Sequence, residues 1–212
     1  MEILKQLAES LERGDDKAVA DLTRKAIADA VPAAAILDDG LIAGMNVVGE
    51  RFRVRDIFLP DVLLAARAMY AGMELLKPLL IKEGVPSRGK VIIGSVQGDL
   101  HDIGKNLVGI MLKGAGFEII DLGNDVPPER FVETAVSENA PVIGLSALLT
   151  TTMSGMKSVV DLIKQRGLSG QIKVIVGGAP LSKEFALEIG ADDYGYDAAN
   201  AVERVTDLVG NG

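Results

Sequence analysis

The stretch KVIIGSVQGDLHDIGKNLVGIMLKGAGFEIID, residues 90–121, decides the fold class. It opens on Lys90-Val91-Ile92-Ile93-Gly94-Ser95, a short apolar run rich in β-branched residues, which reads as a strand. A polar segment with two glycines follows. A helical spacing of apolar residues then runs over about 104–115, and Phe117-Glu118-Ile119-Ile120-Asp121 reads as a second strand. Strand, helix and strand at this spacing form a βαβ unit, and the crossover makes the two strands parallel.

The same alternation continues toward the C-terminus. Val142-Ile143-Gly144-Leu145-Ser146 and Lys173-Val174-Ile175-Val176-Gly177 read as further strands, with Tyr194 on a fifth, edge strand. Helical patterns occupy about 128–139, 153–166, 182–189 and 198–209. Continuously apolar strands belong to a sheet covered on both faces. Residues 90–212 are therefore expected to form an α/β domain of the flavodoxin-like (Rossmann-type) kind, a doubly wound, parallel, five-stranded sheet. Ligands of such sheets sit beyond the C-terminal strand ends, near the topological switch. The loops after strands one, three, four and five are thus the ones to read for chemistry.

Upstream, residues 1–84 carry a helical period throughout. Ile3, Leu4, Leu7 and Leu11 mark one helix, and Gly14-Asp15 interrupts it. A second helix covers about Asp15–Ala30. A third has Pro32 in its first turn and carries Ile36, Leu37, Leu41, Met45, Val48 and Phe52. A fourth opens near Leu59-Pro60-Asp61 and continues to Leu80. Four short-linked amphipathic helices predict an N-terminal four-helix bundle. Residues 85–89, with Pro86, Ser87 and Gly89, read as the linker between the two domains.

Bulk composition narrows the function. Of 212 residues, 48% are hydrophobic and 25% charged, the proportions of a soluble globular protein. A net charge of −8, few aromatics and no Lys/Arg cluster argue against a nucleic-acid partner. The charged N-terminus has no signal-peptide core, and no segment reaches the roughly 18 apolar residues of a membrane span, so no membrane partner and a cytoplasmic location are expected. With no cysteine, disulfides, thiolate metal sites and cysteine nucleophiles are excluded.

The loop after strand one reads Gln97-Gly98-Asp99-Leu100-His101-Asp102-Ile103-Gly104-Lys105-Asn106 and holds the only histidine of the chain. A neutral imidazole is a good ligand for a borderline metal such as cobalt. Asp99, two residues earlier, is placed to accept the other ring N–H, fixing the tautomer and making the ligand nitrogen more basic. Gly104 suits close backbone approach where the next helix begins. A lone histidine near a turn is also common as a surface or capping residue. A zinc site would need several carboxylates beside it; a macrocycle brings its own ligands. The loop after strand three, Ser146-Ala147-Leu148-Leu149-Thr150-Thr151-Thr152-Met153, also suits an ordinary helix start, and Gly177-Gly178-Ala179-Pro180 after strand four an ordinary turn.

Taken together, the three loops are specific. Asp-x-His-x-x-Gly at 99–104 is followed after 41 residues by Ser146-x-Leu148, and after 28 more by Gly177-Gly178. This resembles the cobalamin-binding fingerprint shared by methionine synthase, the cobalamin-dependent mutases and the small corrinoid methyl carriers. Gly44-Met45-Asn46-Val47-Val48-Gly49-Glu50-Arg51-Phe52, Phe58-Leu59-Pro60 and Ala65-Ala66-Arg67-Ala68-Met69 resemble the helical cap of methionine synthase and the carriers, which the mutases do not share. The resemblance therefore covers nearly the whole chain and points to the corrinoid proteins of the methanol, methylamine and methoxy-compound methyltransferase systems.

The resemblance implies a cobalamin or related corrinoid held base-off, with His101 as lower axial ligand of the metal and a His101–Asp99–Thr152 relay behind it. It implies further cofactor contacts from Gly98, Leu100, Asp102, Ile103 and Gly104. Ser146 and Thr150 would meet the nucleotide tail, Leu148 is a further cofactor contact, Gly177 and Gly178 would leave room for the tail, and Asp197 and Ala198 lie near the last matching contact. In the cap, Phe52 and Leu59 match the pair that covers the methyl-bearing face, and Asp39 and Met45 fall at other cap contacts. Arg53-Val54-Arg55-Asp56 departs from the Gly-containing turn expected before Phe58. The implied function is a methyl carrier, not a complete enzyme, alternating between Co(I) and methylcobalamin as Co(III), with Co(II) as the third cobalt state. Its implied partners are a substrate-specific methyltransferase, an acceptor methyltransferase using a tetrahydrofolate-type or thiol acceptor, and a reductive activase. A mutase subunit and a cobalamin-based sensor are the alternatives; the cap motifs count against the first, and the acidic balance and lack of spare length for a DNA-binding module against the second.

Overall fold

The computed structural model describes residues 2–210. They form two compact units, residues 2–87 and 88–210, with 114–116 grouped with the first.

The first unit is built from four helical runs. Helix α1 (Glu2–Glu12) buries Leu4, Leu7 and Leu11 along one stripe. Helix α2 (Asp16–Ala28) is started by Asp15, whose carboxylate accepts the Ala18 N–H at 3.0 Å. The third run is not a uniform α-helix, as the period suggests. A single turn, α3 (Ala33–Ala35), leads into a π-helical segment (Ile36–Ile42) and then α4 (Ala43–Arg53). Where α4 passes α1, a Cβ at Gly44 would lie 2.8 Å from the Ala8 carbonyl oxygen, so only glycine permits this backbone contact. Helix α5 (Leu59–Glu83) begins with Pro60 in its first turn, while the Asp61 side chain accepts the Phe58 N–H at 2.9 Å. It ends at Gly84 in the left-handed conformation. The π segment escapes a reading based on period because one extra residue per turn shifts the apolar stripe without interrupting it.

The second unit contains strands β1 (Lys90–Ser95), β2 (Glu118–Asp121), β3 (Val142–Ser146), β4 (Lys173–Gly177) and β5 (Asp193–Gly195). Helices α6 (Ile103–Gly114), α7 (Pro128–Ser137), α8 (Ser154–Gln165), α9 (Lys183–Ile189) and α10 (Ala198–Gly210) alternate with them. All pairings are parallel, in the order β2-β1-β3-β4-β5. The chain therefore leaves β1 to one side and returns on its other side, which puts the switch point at the C-terminal ends of β1 and β3. Phe131, Ile92, Ile143 and Met156 lie in the buried cluster beneath this region. Tyr194 is on the edge strand as expected, whereas Phe117 lies just before β2. Among the described residues, no helix is long and apolar enough to cross a membrane.

The turn at 53–56 explains its missing glycine. Arg55 itself takes the left-handed conformation, at φ +61°, while Arg51 Nε donates to Asp56 across the turn at 2.6 Å. A side chain in that region costs about 1–2 kcal/mol, partly offset by its lower freedom when unfolded. The substitution Arg55→Gly is therefore expected to stabilise the protein by about 0.5–1 kcal/mol. Denaturant unfolding of the two forms measures it; a destabilised glycine variant would show that the arginine side chain holds the turn.

Candidate functional site

Strand β1 ends at Ser95, and the chain turns over its C-terminal edge. Gly98, at φ +83°, makes the bend and directs Asp99 back inward. Asp99 is wholly buried. A buried carboxylate must be satisfied by donors, and this one is met from two loops. Its Oδ1 accepts from the His101 backbone N–H at 3.0 Å and sits 2.8 Å from His101 Nδ1. Its Oδ2 accepts the Leu148 N–H at 2.7 Å, the Leu149 N–H at 3.3 Å and the Thr152 hydroxyl at 2.7 Å. Thr152 Oγ1 also lies 2.9 Å from the Leu149 carbonyl, so its single proton has a second acceptor.

Burial pushes the Asp99 carboxyl up, but the hydrogen bonds from Leu148, Thr152 and His101 outweigh it and hold the group well below the usual carboxylate range. Asp99 is thus an anion with no proton to give, and His101 Nδ1 must be the donor between them. The lone pair of the neutral ring is then on Nε2. The His101 side chain is 51% exposed, while its partner is fully enclosed. One nitrogen is pinned inside the protein and the other is free to bind outward.

Around this imidazole the surface is unusually apolar. Leu100 (69% exposed), Ile103 (76%), Leu148 and Leu149 stand out from the same two loops. A Cβ at Gly104 would meet nothing in the chain, so the fold itself does not demand a glycine in this first turn of α6. Asp102 is half-buried, and its carbonyl accepts the Asn106 N–H at 2.7 Å. Exposed leucines around an imidazole nitrogen with a lone pair to offer fit a large, flat, partly apolar group that carries most of its own metal ligands. No cluster of three His, Asp or Glu among the described residues is placed to hold a bare ion.

The remaining expected residues of the α/β unit are at the same end of the sheet. Ser95, Ser146 and Gly177 pair in register across β1, β3 and β4, and Gly177 pairs with Gly195 on β5. This row of small residues was only partly legible, since Ser95 and Gly195 carry no motif of their own. Ser95 is fully buried, and its hydroxyl donates to the His101 carbonyl at 2.6 Å. At Gly178, with φ +142°, a Cβ would lie 1.9 Å from the Ala147 carbonyl oxygen. Its glycine therefore also serves the close approach of the β3 and β4 loops. Thr150 is exposed on the β3 loop. Asp197 caps α10, accepting the Asn200 N–H at 2.7 Å, and Ala198 is buried behind it.

The cap residues belong to the helical unit. Asp39 is exposed in the π segment, Met45 is buried, and Phe52 and Leu59 are half-buried at the ends of α4 and α5. Nothing within that unit distinguishes Met45 from an ordinary core residue.

Comparison with known proteins agrees with this geometry. A family model described as a B12 binding domain matches residues 89–204, and a second of the same description matches residues 3–77. The chain belongs to the B12-binding corrinoid proteins. It is 41% identical over 213 residues to a corrinoid protein of Desulfitobacterium hafniense (strain Y51), covering 99% of each chain. It is 44% identical over 209 residues to the dimethylamine corrinoid protein of Methanosarcina barkeri, covering 98% of each. Among solved structures, the methanol:cobalamin methyltransferase complex MtaBC of Methanosarcina barkeri matches all of this chain and 81% of that one, at TM-score 0.87 and 30% identity. A cobalamin-binding protein of Desulfitobacterium hafniense DCB-2 matches at TM-score 0.82 and 34% identity, over 97% of this chain and 98% of that one. The cofactor of this corrinoid protein is cobalamin or a related corrinoid, and the donors and apolar rim of its α/β unit fit such a group.

Two outcomes follow for the protein without cofactor. Asp99→Asn turns an acceptor-only carboxylate into a group with two donors of its own, and is expected to cost about 2–3 kcal/mol at neutral pH. Because the folded-state pKa of Asp99 is lowered, its contribution is complete above the unfolded carboxylate range and fades as pH falls through the folded value. The stability gap between the two forms, followed by urea unfolding, should therefore narrow in acid. Gly178→Ala should cost about 3 kcal/mol, from the clash with Ala147. A thermal melt unchanged from wild type would show that the loop relaxes without strain.

Proposed function

We propose that this corrinoid protein carries methyl groups between two methyltransferases, with His101 as the lower axial ligand of the corrinoid metal. The observation that carries the reading is the divided imidazole, with Nδ1 donating to buried Asp99 and Nε2 facing outward amid exposed leucine and isoleucine side chains. When bound, the corrinoid supplies a cobalt centre that accepts and gives up a methyl group as its oxidation state alternates.

The chain's own residues bind and tune that centre. Asp99 fixes the tautomer and strengthens Nε2 as a donor through the hydrogen bond to Nδ1. Thr152 offsets part of the carboxylate charge from the other side. Gly98, Leu100, Asp102, Ile103 and Gly104 are the contacts proposed for the corrin side; Ser146, Leu148, Thr150, Gly177, Gly178, Asp197 and Ala198 are those proposed for the nucleotide tail. Asp39, Met45, Phe52 and Leu59 are the proposed contacts from the helical unit.

The partners that complete the cycle are a substrate-specific methyltransferase, a second methyltransferase with a tetrahydrofolate-type or thiol acceptor, and a reductive activase. Relatives named for dimethylamine, together with the methanol:cobalamin complex, support a simple methylated amine or alcohol as donor, chosen by the partner. The match of residues 3–77 to a B12 binding domain supports a carrier over a mutase subunit.

The test is an ultraviolet–visible spectrum of the protein reconstituted with hydroxocobalamin, compared with His101→Ala. Wild type should bind stoichiometrically, and the variant should show altered axial ligation. Identical spectra would remove His101 as the ligand, and absence of binding would remove the carrier reading.

A further inference from the structure

The loop between β2 and α7, residues 122–127, carries none of the cofactor motifs, yet it braces the His101 loop from one side. Asn124 Nδ2 donates to the Leu100 carbonyl at 3.1 Å. The Asp125 backbone N–H donates to the Asp99 carbonyl at 3.0 Å, and Asp125 Oδ1 accepts the Gly98 N–H at 2.7 Å. Val126 donates to the Ser95 carbonyl at 3.0 Å and bridges Val96 in parallel. The base of the loop is anchored too. Asp121 accepts the Gly123 N–H at 2.9 Å and holds the ammonium of Lys105, which is buried in the first turn of α6.

Asp125 is the centre of this brace. It grips the Gly98–Asp99 segment at two points, one with its backbone and one with its side chain. It does so at φ +53°, a conformation that disfavours a side chain and that Asp and Asn tolerate best. Its carboxylate is on the exposed side, so burial does not explain the charge there. What the grip fixes is the orientation of the Gly98–Asp99 backbone. That orientation sets where the Asp99 carboxylate points and hence how His101 is presented.

We propose that Asp125 is a positioning residue for the axial histidine: it acts through the Gly98–Asp99 backbone and controls how firmly His101 holds the metal, without touching the cofactor. The inference rests on the assignment of His101 as the ligand.

The experiment uses the cobalamin-loaded full chain and three variants. Asp125→Gly keeps the left-handed backbone and removes only the carboxylate. Asp125→Asn keeps both the conformation and the side-chain acceptor. His101→Ala is the reference for lost ligation. Cyanide is titrated into each, and conversion to the dicyano form, which requires displacement of the lower ligand, is followed by its spectrum. The half-conversion concentration should fall about fivefold in Asp125→Gly, the loss of one hydrogen bond, and return to the wild-type value in Asp125→Asn. Asp125→Gly should still bind cobalamin stoichiometrically. A glycine variant that titrates like wild type would overturn the proposal, as would one that no longer folds, since Asp125 would then serve the fold and not the ligand. A His101→Ala protein that titrates like wild type would instead overturn the assignment of the ligand itself.

Discussion

A carboxylate removed from water must find its hydrogen bonds in the protein or lose its charge. Asp99 finds them in two places, the turn that follows β1 and the turn that follows β3. That requirement is what organises this end of the molecule. The loops adjoin because the sheet places β1 beside β3, and the buried anion holds them in one arrangement. Its effect on His101 is a consequence: an acceptor on Nδ1 leaves Nε2 as the only nitrogen with a lone pair to offer.

The same arrangement separates two tasks that otherwise conflict. A side chain offered to a cofactor has to be exposed, and a positioned side chain has to be packed. Here the packing is given to Asp99, Ser95 and the β2–α7 loop, which hold the backbone on either side of His101. The ring itself stays half exposed. The surrounding Leu100, Ile103, Leu148 and Leu149 would be poor choices for a surface facing water alone, and they suit a broad cofactor with an apolar rim.

Much of the fold was legible because period and punctuation carry it. Apolar central strands of five or six residues, β1, β3 and β4, separated by helical patterns leave few topologies, and the observed β2-β1-β3-β4-β5 order is one of them. Asp99, His101 and Gly178 stood out only through the joint spacing of three loops, each of which alone suits an ordinary turn. Other features were not. The π segment at Ile36–Ile42 shifts the apolar stripe without interrupting it, so no break in the spacing reports it. Ser95 ends β1 without a motif of its own, and Asn124 and Asp125 are ordinary loop residues whose roles depend on backbone groups 24 and 27 positions away. Arg55 occupies a conformation that sequence rules assign to glycine, because the turn closes between Arg51 and Asp56 whatever lies between them.

The sequence by itself determined the elements, their alternation, the single imidazole and the acid two residues before it, since these depend on local periodicity and on which side chains are present. Only the tertiary structure decided which ring nitrogen is available, which backbone amides join the Thr152 hydroxyl in satisfying Asp99, and which loop restrains the histidine. Those are outcomes of contacts between residues about 25 to 50 positions apart, brought within hydrogen-bond reach by parallel strand pairing. Strand pairing is non-local, and no pattern within a single segment encodes it.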